Sequence, residues 1–98
     1  MTKDEARSLI DRCGEIMSGY LGRAVTLSMS LSGKLKIEFD DGDYITWKLF
    51  GNRVDYVSYV GFYSDLDDDV SRIRACISDN YDIFNNLMWS YEHRNELE

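Results

Sequence analysis

The segment FDDGDYITWKLFGNRVDY, residues 39–56, places a regular alternation of apolar and polar residues beside a group of aspartates. Alternation with a period of two is typical of a β-strand that buries one face. The same pattern occurs twice earlier in the chain, so the sequence predicts three half-buried strands. Their apolar residues are Val25, Leu27, Met29 and Leu31, then Leu35, Ile37 and Phe39, then Ile45, Trp47 and Leu49.

Two short loops keep these odd-numbered residues on one face of the sheet. Leu31-Ser32-Gly33 and Asp40-Asp41-Gly42 both place glycine third, where a type I turn with a G1 bulge needs a left-handed residue. Such three-residue loops pair odd-numbered residues with odd-numbered residues across neighbouring strands. The odd numbering of the apolar residues in all three strands therefore agrees with the three-residue loops that the glycines predict.

A fourth strand is predicted to bury its even-numbered residues. Gly51-Asn52 is typical of a two-residue hairpin turn, which would pair Leu49 with Val54 and Trp47 with Tyr56. We therefore expect a four-stranded antiparallel β-meander. The apolar residues of its last strand are Val54, Tyr56, Val60 and Phe62.

Helices are predicted on both sides of this meander. Thr2 and Glu5 form a capping-box pattern, and Gly22 follows the last apolar turn, so a helix should run from Lys3 to Leu21. A second helical region with apolar residues at spacings of three and four extends from Leu66 to Tyr91. It forms one helix or two. We favour a break near residues 78–81, because a single helix would be much longer than the strands against which it packs. The sequence thus predicts a single α+β domain over residues 1–98.

Composition and charge narrow the class of protein. Hydrophobic residues make up 44% and aromatic residues 13% of the chain, which indicates a folded domain. Without an apolar span or signal peptide, we expect an intracellular protein, with Cys13 and Cys76 as reduced, buried thiols. The net charge of −7 is the sum of +1 over residues 1–39 and −8 over residues 40–98. That charge should repel nucleic acid and anionic membranes, and it favours a basic protein partner.

The residue types needed for catalysis or metal binding are sparse. The only histidine, His93, lies near the C-terminus, so we expect no enzyme. In SDLDDDVSRI, residues 64–73, three aspartates match the first ligand positions of a calcium-binding EF-hand loop. However, Val70 and Cys76 stand where that loop needs glycine and glutamate. We therefore expect neither a metal nor a cofactor.

The candidate functional residues are carboxylates and tyrosines. Turns and helix starts favour aspartate, and charge keeps small proteins in solution, but spaced carboxylates can also imitate nucleic-acid phosphates toward a basic groove. Tyr44, Val57 and Tyr59 should form a small exposed patch on the outer sheet face, unless the C-terminal helices cover that face. Trp89 is either an exposed interface anchor or part of a broad buried face with Met88. The predicted protein-binding residues are Asp40, Asp41, Asp43, Asp65, Asp67, Asp68, Asp69, Tyr44 and Tyr59.

In length, acidity, Asp- and Tyr-rich composition and element order, the whole chain resembles small acidic phage-encoded inhibitors of bacterial defence, such as anti-CRISPR proteins. No motif carries this resemblance, so it assigns no residue a role. It implies a non-catalytic inhibitor that binds a CRISPR effector in the cytoplasm of a bacterial host. Two alternatives remain open: an immunity protein that neutralises a toxin nuclease, and a regulatory subunit that self-associates, for example as a homodimer.

Overall fold

The computed structural model describes residues 1–30, 33–48, 53–57 and 66–97, and it describes the side chains of all of these except 53–57 and 66. Helices flank an antiparallel sheet, so the predicted α+β class with a helical C-terminal region is confirmed. The elements are α1 (Lys3–Leu21), β1 (Val25–Met29), β2 (Lys34–Phe39), β3 (Tyr44–Lys48), β4 (Arg53–Val57), α2 (Leu66–Asp79), α3 (Tyr81–Glu92) and a short 3-10 helix (Arg94–Glu96).

Helix α1 begins and ends where the sequence predicts. The Thr2 hydroxyl accepts the Glu5 backbone N–H at 3.1 Å, and the Glu5 carboxylate accepts the Thr2 N–H at 3.3 Å. At the other end, Gly22 has a φ of 73° and donates its N–H to the Ser18 carbonyl at 2.9 Å. A capping box and a left-handed glycine therefore satisfy backbone groups that a helix leaves unpaired at its ends.

Ser18 attaches the first strand to this helix. Its hydroxyl donates to the Gly14 carbonyl at 2.8 Å and accepts the Val25 backbone N–H at 3.0 Å. Gly14 lies close to the strand, since a Cβ added there would stand 3.7 Å from Leu27 Cγ. Strand β1 therefore lies directly against α1.

The predicted turns of the first two hairpins are confirmed at their glycines. Gly33 has a φ of 83° and donates to the Ser30 carbonyl at 3.1 Å, while the Ser30 N–H donates to the Lys34 carbonyl at 2.9 Å. Gly42 has a φ of 94° in the second turn. The resulting register unites odd-numbered residues, with Val25 opposite Phe39, Leu27 opposite Ile37, Leu35 opposite Trp47 and Ile37 opposite Ile45.

The register between β3 and β4 differs from the predicted one. Trp47 lies opposite Val54 and Ile45 opposite Tyr56, so the expected pairs of Leu49 with Val54 and Trp47 with Tyr56 are wrong. The observed register is offset by two residues, which leaves each residue on its predicted face because side chains alternate with a period of two. The strand order is β1-β2-β3-β4. The expected continuation of the last strand to Phe62 lies outside the described residues.

Two helices follow the sheet, as favoured from the sequence. They are separated at Asn80, whose φ of −121° and ψ of 38° leave the helical region. The Asn80 side-chain amide donates to the Cys76 carbonyl at 2.9 Å and so satisfies an acceptor at the end of α2. The predicted break within residues 78–81 is confirmed.

One hydrophobic cluster joins the sheet to all three long helices. Cys13 and Cys76 are both buried in it, as predicted, and carry free thiols. Since α2 and α3 pack on the same side of the sheet as α1, the alternative in which they cover the outer face is wrong for their described parts. The cluster consists of Cys13, Met17, Leu21, Leu27, Leu35, Ile37, Phe39, Ile45, Trp47, Ile73, Cys76, Phe84 and Leu87.

Candidate functional site: an acidic protein-binding surface

The turn between β2 and β3 holds three of the predicted aspartates in a fixed conformation. The Phe39 N–H donates to the Asp43 carbonyl at 2.8 Å, and the Asp41 carboxylate accepts the Asp43 N–H at 2.9 Å. Asp40 and Asp41 are exposed, whereas Asp43 is half-buried. Oδ1 of Asp43 is enclosed and accepts no hydrogen bond in the part of the chain that the structure describes. Asp40 and Asp41 are therefore the two exposed carboxylates of this turn.

The first turn of α2 holds a second acidic group. Asp67, Asp68 and Asp69 occupy successive positions there, where the positive end of the helix dipole favours carboxylates. Asp67 and Asp68 are exposed, but Asp69 is only 5% exposed. The predicted site residues of this helix thus divide into two outward-facing carboxylates and one inward-facing carboxylate.

Arg23 links the two elements that carry the acidic groups. Its Nη2 lies 3.5 Å from Oδ2 of Asp69, and its Cζ lies 3.8 Å from the centroid of the Phe39 ring. Phe39 is the last residue of β2 and directly precedes Asp40. One guanidinium group therefore contacts both the strand that leads into the acidic turn and the helix that carries the second group.

We call Asp40, Asp41, Asp67 and Asp68 the acidic surface. All four are exposed, and they lie on elements joined through Arg23. Sequence reasoning singled out all four aspartates but missed Arg23. A spacing signal could have separated Asp69 from its neighbours, because Asp69, Ile73 and Cys76 share one face of α2.

Tyr44 lies on the outer sheet face next to the acidic turn. It pairs with Glu38 across the sheet, and Nζ of Lys36 lies 4.5 Å from the centroid of its ring. Lys36 Nζ also lies 3.9 Å from Glu38 Oε2. The half-buried tyrosine ring is therefore held in place by its neighbours, and its outer edge can contact a partner. Tyr59 and Asp65, the other two predicted contact residues, lie outside the described residues.

A separate aromatic pair is exposed on α3. Trp89 is 45% exposed, whereas Met88 beside it is 6% exposed, so the structure favours the exposed alternative for Trp89. The His93 ring stacks on Trp89 with their centroids 4.1 Å apart, and His93 Nδ1 lies 2.8 Å from the Trp89 carbonyl oxygen. Stacking leaves one face of the indole open to solvent or to a partner.

The potential nucleophiles are poorly placed for chemistry. Burial raises the pKa of Cys13 to about 11 and that of Cys76 to about 12, so both remain uncharged thiols near neutral pH. The described part of the chain contains no group of three histidine, cysteine, aspartate or glutamate side chains placed to hold a metal ion. Of the described helices, none is long and apolar enough to cross a membrane.

Comparisons with protein-family models, curated proteins and solved structures find no match to this chain. The arrangement at the acidic surface can act through electrostatic attraction and hydrogen bonding to cationic groups.

Proposed function

We propose that this chain is a non-enzymatic inhibitor that binds a basic surface of a bacterial defence nuclease complex, in the manner of anti-CRISPR proteins. In this proposal the protein is phage-encoded and acts in the cytoplasm of the bacterial host. The observation that carries it is the contact of Arg23 with both Asp69 and Phe39, which links the two elements that carry the acidic groups. Either group of aspartates alone could be explained without a binding role, because turns and helix starts favour aspartate.

The rigidity of the acidic surface supports this proposal. Hydrogen bonds at Phe39 and Asp43 close the turn, and the buried Asp69 anchors the start of α2. Carboxylates on fixed elements lose little conformational freedom when they meet arginine and lysine side chains of a partner. Like a row of nucleic-acid phosphates, they would attract a basic groove and compete with its substrate.

The roles within the surface follow from exposure. Asp40, Asp41, Asp67 and Asp68 are the contact residues, and Tyr44 adds an aromatic contact at the edge. Asp43 and Asp69 act as positioning residues, because the backbone of one closes the turn and the carboxylate of the other meets Arg23. Reversing the charge of Asp69 would therefore damage the fold and obscure any effect on binding.

The decisive experiment is an affinity pull-down from bacterial lysates, with and without expressed CRISPR effectors, followed by association kinetics with the captured protein. The test variant is Asp40→Lys/Asp41→Lys/Asp67→Lys/Asp68→Lys. The matched control is Asp4→Lys/Asp11→Lys/Glu92→Lys/Glu96→Lys, which makes the same change in net charge at exposed positions of α1 and the C-terminal region.

At low salt we expect the test variant to associate at least about tenfold more slowly than the wild type, and more slowly than the control. High salt should remove that difference, since it screens exposed charges. Equal slowing by both variants would mean that net charge alone acts, and the proposed surface would be rejected. Capture of a toxin nuclease in place of a CRISPR effector would keep the surface and favour an immunity protein.

A further inference from the structure

The end of the molecule opposite the acidic surface contains an apolar groove. It lies between the first half of α1, the end of β1 and the end of α3, and its volume is about 330 Å³. Ile10, Met29 and Leu87 contribute to its apolar floor, and Arg7 and Arg94 stand in its lining. We call this feature the Arg7–Arg94 groove.

The charge of this groove is opposite to that of the whole chain. Both charged residues in its lining are arginines, although the chain has a net charge of −7. Two other clefts of the described structure differ from it, since Arg12 in their linings is accompanied by carboxylates, Asp79 and Asp82 in one and Asp4 and Glu5 in the other. The groove with the apolar floor thus has a lining that contains two arginines and no carboxylate.

The two arginines are available to a ligand in different ways. Arg94 Nη1 donates to the Tyr91 carbonyl at 2.9 Å, and its Cζ lies 4.4 Å from the Tyr91 ring centroid, so its guanidinium is held at the groove. Its other nitrogens can still donate hydrogen bonds. Arg7 is exposed and forms no ion pair with another described residue.

Positive charge continues from the groove onto the outer sheet face. Ser30 lines the groove, and its hydroxyl accepts the Lys34 backbone N–H at 3.1 Å. Lys34 pairs with Lys48 across the sheet. Strand β2 separates this pair of lysines from the acidic turn by about 16 Å, at about 3.3 Å per residue. The two ends of the sheet therefore carry opposite charge.

We propose that the Arg7–Arg94 groove binds a small aliphatic carboxylate, in addition to the function proposed above and independently of it. The alkyl chain lies on the floor formed by Ile10, Met29 and Leu87, and the guanidinium groups hold the carboxylate. Small-ligand pockets have volumes of roughly 300–1,000 Å³, so a groove near the lower limit takes a short chain.

The test is an NMR titration of the full ¹⁵N-labelled chain with octanoate below its micelle concentration. Acetate provides the same charge without the chain, and octanol provides the chain without the charge. We expect saturable shifts centred on the amides of Ile10, Met29 and Leu87, with octanoate binding at least about fivefold more tightly than octanol.

Charge-removing variants distinguish binding of octanoate at the Arg7–Arg94 groove from general electrostatic attraction to the protein surface. Arg7→Gln and Arg94→Gln should each weaken octanoate binding about threefold to fivefold. Lys3→Gln should not, although it removes the same charge one helical turn away on α1. The amide spectrum of each variant also shows whether the fold is retained.

Four results would overturn the proposal: shifts that do not saturate, equal affinity for octanol, shifts centred elsewhere, or equal effects of Lys3→Gln and Arg7→Gln. Binding to anionic lipid vesicles without saturable binding of octanoate would also overturn it, since that surface would then recognise a membrane. Failure of this test leaves the kinetics at the acidic surface unaffected, so the two proposals are tested separately.

Discussion

At the scale of single residues, the side chain of Arg23 contacts both an aromatic ring and a buried carboxylate. It stacks on Phe39 and meets Asp69, whose side chain is 7% exposed, while the arginine side chain itself is 39% exposed. Such an arginine gains from the apolar contact of its flat guanidinium as well as from the charge of its partner. The buried carboxylate depends on Arg23 more strongly than the arginine depends on it, because an unpaired buried charge is costly.

Asp69→Asn should therefore destabilise the protein by about 1–3 kcal/mol, the usual loss for a buried hydrogen bond to a charged group. Asp68→Asn is the matched control, because it makes the same change at the next, exposed position of α2. It should cost less than about 1 kcal/mol, through the weaker interaction with the helix dipole. Urea denaturation measures both free energies of unfolding. Equal values would show that Asp69 is not the anchor of this helix start.

At the scale of elements, the two glycines near the end of α1 have opposite requirements. Gly19 lies inside the helix, and a Cβ added there would meet nothing within 4 Å. Gly22 lies at the C-cap with a φ of 73°, where side chains other than glycine are strained. Gly19→Ala should stabilise the protein by about 0.5–1 kcal/mol. Gly22→Ala should destabilise it by about 1 kcal/mol. Thermal and urea unfolding measure the change in the free energy of unfolding of each variant. A loss of stability in Gly19→Ala would contradict the open space found around that position.

Some features of the helices and strands could be predicted from the sequence and others could not. The ends of α1 and the turns at Gly33 and Gly42 could be predicted, because each depends on residues within a few positions of one another. The register of β3 and β4 could not, since parity permits any offset of two residues and the dipeptide Gly51-Asn52 suggested a shorter connection than the observed pairing gives. Local signals fixed the face of each strand but not its position along its neighbour.

At the scale of the whole molecule, the candidate site could be predicted from the sequence only in part. The sequence identifies the aspartate groups, but their assembly depends on Arg23, which is distant in sequence from both Phe39 and Asp69. The concentration of positive charge at the opposite end was missed altogether, because Arg7, Lys34 and Arg94 belong to three different elements or turns. Net charge cannot show that a chain carries opposite charges at its two ends.

Alkaline stability is also a property of the whole core. Burial raises the pKa of Cys13 to about 11 and that of Cys76 to about 12, from the ordinary thiol value of 9.0. The hydrogen bond that Tyr20 donates to Asp79 raises the pKa of Tyr20 as well. The folded state therefore keeps protons that the unfolded chain loses, so the stability is fully present below about pH 9 and falls as the pH rises through the folded-state pKa values.

Between pH 9 and pH 11 we expect the two thiols to contribute a loss of roughly 2 kcal/mol per pH unit in the free energy of unfolding. In Cys13→Ala/Cys76→Ala this part of the slope should disappear, although the variant is less stable at pH 8 because it loses buried contacts. Tyr20→Phe is the control, since it removes a titrating group outside the core and should leave the thiol contribution intact. Urea denaturation at successive pH values measures each slope. An unchanged slope in the double cysteine variant would mean that other groups cause the alkaline loss, and that the buried thiols do not couple folding to pH.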